Sequence, residues 1–192
     1  LAFALSTIHQ KQFTHALEAT LAALKIDPNH AEAHHLASHA YAGIGDELMA
    51  RVMLKRAIAL EPDNPQYHYN AAVNASLDGD TARAMVHYAQ ALRQSPDLLD
   101  ALWNYGECLR MDEQFALALN CFERLVQLNA THYEALWDRM SVCYASLDRH
   151  EEAEATYQRA FAAQHSGALA HWEYALYKLS QDDFETGFKY YN

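Results

Sequence analysis

The stretch AMVHYAQALRQSP, residues 84–96, decides the fold of this chain because its spacing recurs along the sequence. It starts with an alanine, and has an aromatic residue four positions later, a second alanine after seven and a proline after twelve. The first alanine of the pattern returns every 34 residues, with one step of 35. The series comprises Ala16, Ala50, Ala84, Ala118, Ala153 and, with glycine in place of alanine, Gly187. Such a period predicts a repeat protein, in which each unit buries its apolar face against its neighbours.

Each period carries the signals for two helices and for the breaks between them. Apolar residues recur at helical spacing between Met53 and Leu60, and a turn at Gly43–Asp46 separates this helix from the preceding one. The second helices end at prolines, which cannot continue a helix: Pro28, Pro62 and Pro96. The pattern predicts an all-α chain of six helix pairs. We expect the pairs at 1–30, 31–64, 65–98, 99–132, 133–167 and 168–192, with the extra residue of the fifth pair at Ala145–Asp148.

The spacing resembles that of the tetratricopeptide repeat family, whose signature is W-x2-L-G-x2-Y, then A-x3-F, then P within 34 residues. Ala118 and Phe122 match the second half of this signature, and Tyr105–Gly106 matches its L-G pair. Most units have Ala or Ser where the signature has Gly, and the last two lack the proline. The resemblance implies a right-handed superhelical solenoid over residues 1–192, with a concave groove. The chain is also similar to bacterial arrays of such repeats that belong to larger multidomain proteins.

A second series of residues precedes the repeated alanines by fifteen positions, or by sixteen in the fifth unit. It comprises Leu1, His35, Tyr69, Trp103, Trp137 and Trp172, and so contains all three tryptophans of the chain. The family resemblance implies that this register faces the groove, where aromatic side chains offer a ligand a large contact area at low entropic cost. Large aromatic residues at helical spacing are equally typical of a core, shifted here by one position from the tryptophan of the family signature. Both interpretations stay open.

Polar and acidic residues accompany the aromatic series on the same helix face. An arginine or lysine above a tryptophan ring with a carboxylate nearby is a favourable arrangement. We therefore predict a protein-interaction scaffold that binds an extended, basic or aromatic segment of a partner. A solvated acidic face is the alternative interpretation of the carboxylates. The predicted partner-binding residues are Tyr69, Trp103, Trp137, Trp172, Asn70, Asn104, Glu107, Asp138, His35 and His39.

Composition excludes several classes of function. The formal net charge is −11, whereas binding to a nucleic-acid backbone needs a basic surface. No apolar run is long enough to span a membrane, and the three cysteines are typical of buried thiols in a reducing compartment. We predict a cytoplasmic protein. Because the chain starts at Leu1 and offers no polar capping helix at either end, we also expect a fragment of a longer chain, or self-association through its ends.

No set of residues with catalytic or cofactor-binding spacing is present. His30 and His34, like His35 and His39, are four residues apart and could chelate a metal ion from one helix face. No H-E-x-x-H motif occurs, and neither a cysteine nor a third carboxylate completes a coordination set. We predict no metal ion, no cofactor and no enzymatic activity for this chain.

An alternative function rests on the last unit and on a row of amides. Residues 183–191, DFETGFKYY, resemble the G-D-F-E-x-G-W-x-x-Y stretch that closes many bacterial repeat arrays, some of which precede a glycosyltransferase domain. Asn70 and Asn104, with Asp138 in line, are similar to part of the asparagine row in repeat-bearing protein O-glycosyltransferases. This resemblance implies an acceptor-recruiting arm, with catalysis in a domain beyond this chain.

Overall fold

The computed structural model describes residues 1–9, 12–130, 133, 135–162 and 168–191, and these residues form twelve α-helices without any strand. Each odd-numbered helix packs against the even-numbered helix that follows it. The predicted all-α helical-repeat solenoid is thereby confirmed as the fold class. Its handedness and its extent as one domain over residues 1–192 stay predictions.

The chain divides into two compact units, residues 1–96 (unit 1) and 97–192 (unit 2), with three helix pairs in each. Unit 1 contains α1 (Ala2–His9), α2 (Phe13–Ile26), α3 (Ala31–Gly43), α4 (Glu47–Leu60), α5 (Pro65–Leu77) and α6 (Thr81–Gln94). Unit 2 contains α7 (Leu99–Met111), α8 (Phe115–Gln127), α9 (Leu136–Ser146), α10 (His150–Ala162), α11 (Ala168–Ser180) and α12 (Phe184–Tyr191). The pair boundaries predicted at 132 and 167 lie outside the described residues.

The repeated small residue lies where the two helices of a pair meet. Ala16, Ala84 and Ala118 are fully buried, and Gly187 is buried as well. Gly106 is a second small residue at a contact between paired helices in unit 2. A Cβ atom added at this position would lie only 2.5 Å from Cε1 of Phe122. Close approach of paired helices thus explains why these positions tolerate only small side chains.

The turn inside each pair has the same backbone hydrogen bonds throughout the chain. In the fourth pair the N–H of Gln114 donates to the carbonyl of Leu109 at 2.8 Å, and the N–H of Ala118 donates to that of Gln114 at 3.0 Å. In the fifth pair the N–H of Arg149 donates to Tyr144 at 3.0 Å. Ala153 therefore follows Tyr144 at the same interval as Ala118 follows Leu109. The predicted position of the extra residue, 145–148, is wrong, because the extra residue lies before Tyr144.

Candidate functional site

The turn geometry changes the position of one tryptophan. Because α9 is a continuous helix from Leu136 to Ser146, Tyr144 fixes the register of the whole helix. Trp137 then corresponds to Leu102, and Asp138 corresponds to Trp103. The prediction that Trp137 shares the register of Trp103 and Trp172 is wrong, since the extra residue precedes it. The corrected series in unit 2 is Trp103, Asp138 and Trp172.

The same correction shortens the predicted row of amides. Asn70 and Asn104 are followed in their register by Arg139 and Glu173, and Asp138 is one position earlier. The row that motivated an acceptor-recruiting arm therefore contains two asparagines and continues with charged residues.

Trp137 is half-buried and packs against the next helix of its pair. The guanidinium of Arg159, on α10, lies 5.6 Å from the centre of the Trp137 ring. One face of this ring therefore already has a cation from the chain itself above it. For Trp137, the contact favours the interpretation as a packing residue.

Trp103 is also half-buried, and a tyrosine of the chain covers one face of its ring. The ring of Tyr133 stacks on it with the centroids 4.9 Å apart and an interplanar angle of 7°. The Tyr133 hydroxyl donates a hydrogen bond to Asp100 at 2.8 Å. Phe122, on α8, also approaches the Trp103 ring, to 5.7 Å between centroids. Trp103 thus has less free surface than the sequence series suggested.

Trp172 is the exposed member of the series. Its side chain on α11 is 46% exposed, and Leu176, one turn further along, is 40% exposed. Two large apolar side chains at this spacing form one patch on the helix surface. This patch contains Trp172, the predicted binding residue of unit 2 with an exposed side chain, and it is open to a ligand.

A chain of ion pairs connects the first helices of the three pairs in unit 2. Nε of Arg139 lies 3.2 Å from Glu107, and its Nη1 lies 3.6 Å from Glu173. Arg110 adds a second cation, with Nε 3.0 Å from Glu107. Glu107, which we predicted to attract a basic partner, is therefore paired within the chain.

Two carboxylates near Arg139 are desolvated. Asp138 is 9% exposed, and within the described residues its Oδ1 atom has no hydrogen-bond partner. Burial raises the pKa of Asp138, against the opposing charges of Arg139 and His171. Burial also raises the pKa of Glu173, and the charge of Asp138 adds to this rise. The two acids therefore repel each other in a place where water is largely excluded.

A cavity of about 560 Å³ opens beside the exposed patch. It includes Glu173 and Leu176 from the face just described and continues between α9, α10 and α11. Its wall combines aromatic rings with acids and hydroxyls, including Tyr157, Tyr177, Asp148 and Ser180. A cavity of this lining suits a long side chain that has both an apolar stem and a positive end.

Unit 1 has a different set of residues in the equivalent register. Asn70 on α5 places its amide nitrogen 2.6 Å from Nε2 of His35 and 3.0 Å from Nε2 of His39, both on α3. The two imidazole nitrogens are 3.1 Å apart. Burial, followed by the neighbouring His39, lowers the pKa of His35 to about 4, and desolvation also lowers the pKa of His39. We call His35, His39 and Asn70 the imidazole–amide cluster.

The remaining predicted site residues are half-buried. Tyr69 packs against Tyr88 with the ring centroids 6.1 Å apart, and Asn104 lies on α7 next to Trp103. The structure brings together His35, His39 and Asn70 in unit 1 and Glu107 with Arg139 in unit 2. Arg139 was missing from the sequence prediction, since the misplaced extra residue put it outside the register.

Two other kinds of site are not found among the described residues. These residues include no group of three or more His, Cys, Asp or Glu side chains arranged to hold a metal ion. In the same part of the chain, no helix has both the length and the apolar character needed to cross a membrane. Burial raises the pKa of the free thiol of Cys121 to about 11 and that of Cys143 to about 12, so both are protonated at neutral pH.

Comparison with known proteins gives a consistent result. One family model described as Tetratricopeptide repeat matches residues 31–64 and 135–164, and a second one with the same description matches 100–132. No curated protein matches the sequence.

Several solved structures share the fold at low sequence identity. YrrB, a TPR protein with an unusual peptide-binding site, is 20% identical with a TM-score of 0.74, over 88% of this chain and 87% of that one. MamA from Desulfovibrio magneticus RS-1 is 20% identical with a TM-score of 0.73, over 84% and 90%. Pseudomonas aeruginosa PilF is 19% identical with a TM-score of 0.72, over 98% and 86%.

Proposed function

Because the chain belongs to the tetratricopeptide repeat family, we propose that it is a protein-interaction scaffold and that unit 2 binds an extended segment of a partner. The scaffold has no catalytic role of its own in this proposal. It acts in the cytoplasm, where thiols such as Cys121 and Cys143 stay reduced. A repeat fold suits this function because it presents side chains from successive helices on one continuous face.

The observation that carries the proposal is the exposed patch of Trp172 and Leu176 beside the cavity of about 560 Å³. Large apolar side chains that stay exposed next to a cavity are common features of interaction sites. A partner segment would lie on Trp172 and Leu176 and place one side chain in the cavity.

The charges of this face indicate which kind of partner side chain would enter the cavity. Asp100, Glu107, Asp138 and Glu173 are four carboxylates of this face, whereas Arg110 and Arg139 are cations paired with two of them, Glu107 and Glu173. Tyr157 and Tyr177 also line the cavity, and Glu173 adds a carboxylate. A lysine or arginine would pack its stem against the rings and place its charge near the acids. We therefore propose a partner segment with a basic residue between apolar ones.

The test is selection of linear peptides from a randomised display library on the unmodified chain, followed by titration of the selected peptides. We expect enrichment of peptides with Lys or Arg next to aromatic or aliphatic residues. Trp172→Ala should weaken their binding at least about tenfold, because an exposed aromatic anchor is lost. Glu173→Gln should weaken it as well, because it removes one charge without a change of shape.

Two matched variants control for surface changes elsewhere in unit 2. Leu117→Ala removes an exposed apolar side chain on α8, and Glu151→Gln removes an exposed charge on α10. Both should bind the selected peptides like the unmodified chain. Selected peptides without a basic residue, or peptides that bind Trp172→Ala and the unmodified chain equally well, would contradict the proposal.

A further inference from the structure

The imidazole–amide cluster of unit 1 has a geometry that hydrogen bonds alone do not explain. His35 and His39 lie one turn apart on α3, so both rings project from the same helix face. Their Nε2 atoms are 3.1 Å apart, and the amide end of Asn70 is 2.6 Å from one and 3.0 Å from the other. Three polar atoms from two helices thus form a nearly equilateral triangle.

The three contacts of this triangle cannot all be hydrogen bonds. A neutral imidazole nitrogen either donates or accepts, an amide nitrogen only donates and an amide oxygen only accepts. If the amide nitrogen faces the rings, both rings must accept, and their lone pairs then face each other. If the amide oxygen faces the rings, both rings must donate, and two N–H groups face each other. At least one contact is therefore unfavourable in every arrangement without a further atom.

A cation above the centre of the triangle removes this conflict, because all three atoms can then direct lone pairs toward it. We propose that the cluster binds a divalent first-row transition-metal ion through Nε2 of His35, Nε2 of His39 and the side-chain oxygen of Asn70. Two ligand atoms that bind one ion at about 2.1 Å and at right angles lie about 3.0 Å apart. The observed separations of 3.0 and 3.1 Å match this value, and the separation of 2.6 Å is shorter.

The surroundings of the cluster fit such a site. A half-turn of the Asn70 amide brings its oxygen toward the rings without displacing the side chain. The side-chain amide of Gln66 lies 3.4 Å from the other end of the Asn70 amide, and after the same half-turn its oxygen can accept a hydrogen bond from the Asn70 amide nitrogen. A cavity of about 190 Å³ next to His39 and Asn70 has room for water molecules at the remaining coordination positions.

The other close histidine pair of unit 1 lacks this conflict. Nε2 of His68 donates to the carbonyl of Pro62 at 2.8 Å, so its Nδ1 atom can accept from Nδ1 of His87 at 3.1 Å. Both contacts are hydrogen bonds in one arrangement of protons. His87 is therefore a matched control for a histidine with no third ligand.

The experiment is calorimetric titration of the untagged, chelator-treated chain with Ni²⁺, which accepts nitrogen and oxygen ligands at right angles. We expect a single strong site per chain. His39→Ala and Asn70→Ala should each weaken this site at least about tenfold. Asn70→Asp should strengthen it, since a carboxylate adds a negative charge to the same donor position, and His87→Ala should leave it unchanged.

A measurement on the unmodified chain makes the test independent of how the variants fold. Ni²⁺ is paramagnetic, so one equivalent should broaden NMR signals of Val73 and Gln66 before those of Tyr88. Equal affinity in the two Asn70 variants and the unmodified chain, or broadening centred elsewhere, would overturn the proposal. This site is independent of the peptide-binding surface in unit 2, so either proposal can fail without the other.

Discussion

The two units place side chains at the same repeat positions but fill them with different chemistry. In unit 1, Asn70 reaches back to His39 of the preceding pair, and the contact is between neutral groups. In unit 2, the equivalent residue Arg139 reaches back to Glu107 of the preceding pair, and the contact is an ion pair. The repeat therefore decides which side chains meet, and the identity of those side chains decides what the face can bind.

The turns differ between the units in the same manner. The turn residue five positions before the repeated small residue has a positive φ in both units. In unit 1 this φ is 84° for Gly45 and 76° for Gly79. In unit 2 the equivalent residues are Glu113 at 60°, Asp148 at 57° and Asp182 at 59°. The backbone of the turn is thus retained even where its residue is unsuited to it, because the turn fixes how the two helices pack.

The largest difference between the units should be seen on removal of the central side chain of each cluster. Arg139→Ala leaves Glu173 and Asp138 without the charge of Arg139, while Glu107 keeps Arg110, and it should lower the free energy of unfolding by about 3 kcal/mol. Asn70→Ala removes only contacts between neutral groups and should cost at most about 1 kcal/mol. Urea unfolding followed by circular dichroism measures both.

Arg124→Ala is the control for this pair of variants. Arg124 forms an ion pair with Asp97, but both side chains are largely exposed, at 41% and 52%. Its loss should cost no more than about 0.5 kcal/mol. Equal costs for Arg139→Ala and Asn70→Ala would mean that the ion pairs of unit 2 add no more stability than neutral contacts.

The second comparison is between two tryptophans of unit 2. Trp137→Ala should lower the free energy of unfolding by about 2 kcal/mol, because the half-buried ring packs on α10. Trp172→Ala should cost less than about 1 kcal/mol, because its ring is 46% exposed. Trp172→Ala should weaken peptide binding more than Trp137→Ala does. If both variants lose the same stability and the same affinity, the corrected register of Trp137 has no functional meaning.

Replacement of Asp138 by asparagine should stabilise unit 2 at neutral pH. Burial holds the pKa of Asp138 above its ordinary value, so the folded chain keeps a proton that the unfolded chain has released. The free energy of unfolding therefore falls as the pH rises from the ordinary pKa through the raised one. Asp138→Asn should reduce this fall and raise the free energy of unfolding by about 1 kcal/mol at pH 7.

Urea unfolding at pH 4 and at pH 7 tests this prediction. Glu151→Gln, an exposed acid on α10, is its control and should leave the difference between the two pH values unchanged. A lower stability of Asp138→Asn at pH 7 would mean that Arg139 compensates the buried charge fully.

The smallest effect is expected at the turns. Glu113→Gly should raise the free energy of unfolding by about 0.5 kcal/mol, since glycine adopts a positive φ without strain but loses more entropy on folding. Gly79→Ala in unit 1 should have the opposite sign. Thermal unfolding of the two variants measures the difference, and changes of the same sign would exclude turn strain as its cause.

The sequence predicts the backbone of this molecule well because the repeat period constrains it. Membership in the tetratricopeptide repeat family and the helix pairs follow from recurring residues. The position of the extra residue was wrong, although Tyr144 matches the final tyrosine of the signature's first half and already indicated an extra residue before it. This error put Trp137 into the series and left Asp138 and Arg139 out of their true registers.

Contacts between side chains of different pairs are what one sequence does not reveal. The stacking of Tyr133 on Trp103 and the approach of Asn70 to His35 depend on how neighbouring helices pack. Cysteines and carboxylates at regular spacing are the metal ligands that a sequence indicates, so an amide ligand from the next pair, as proposed for Asn70, is not predicted from it. The register of Trp172 leaves open whether it is a surface or a core residue, and the cavity beside it is seen only in the packed structure.

The central claim is that unit 2 binds a basic side chain through its acidic, aromatic face. The most direct test is a double-mutant cycle by calorimetry, with Glu173→Gln in the chain and an uncharged residue of equal length replacing the basic residue of a selected peptide. We predict a coupling free energy of about 1 kcal/mol or more, because the two charges interact at the site. Additive losses, with a coupling below about 0.3 kcal/mol, would contradict the claim.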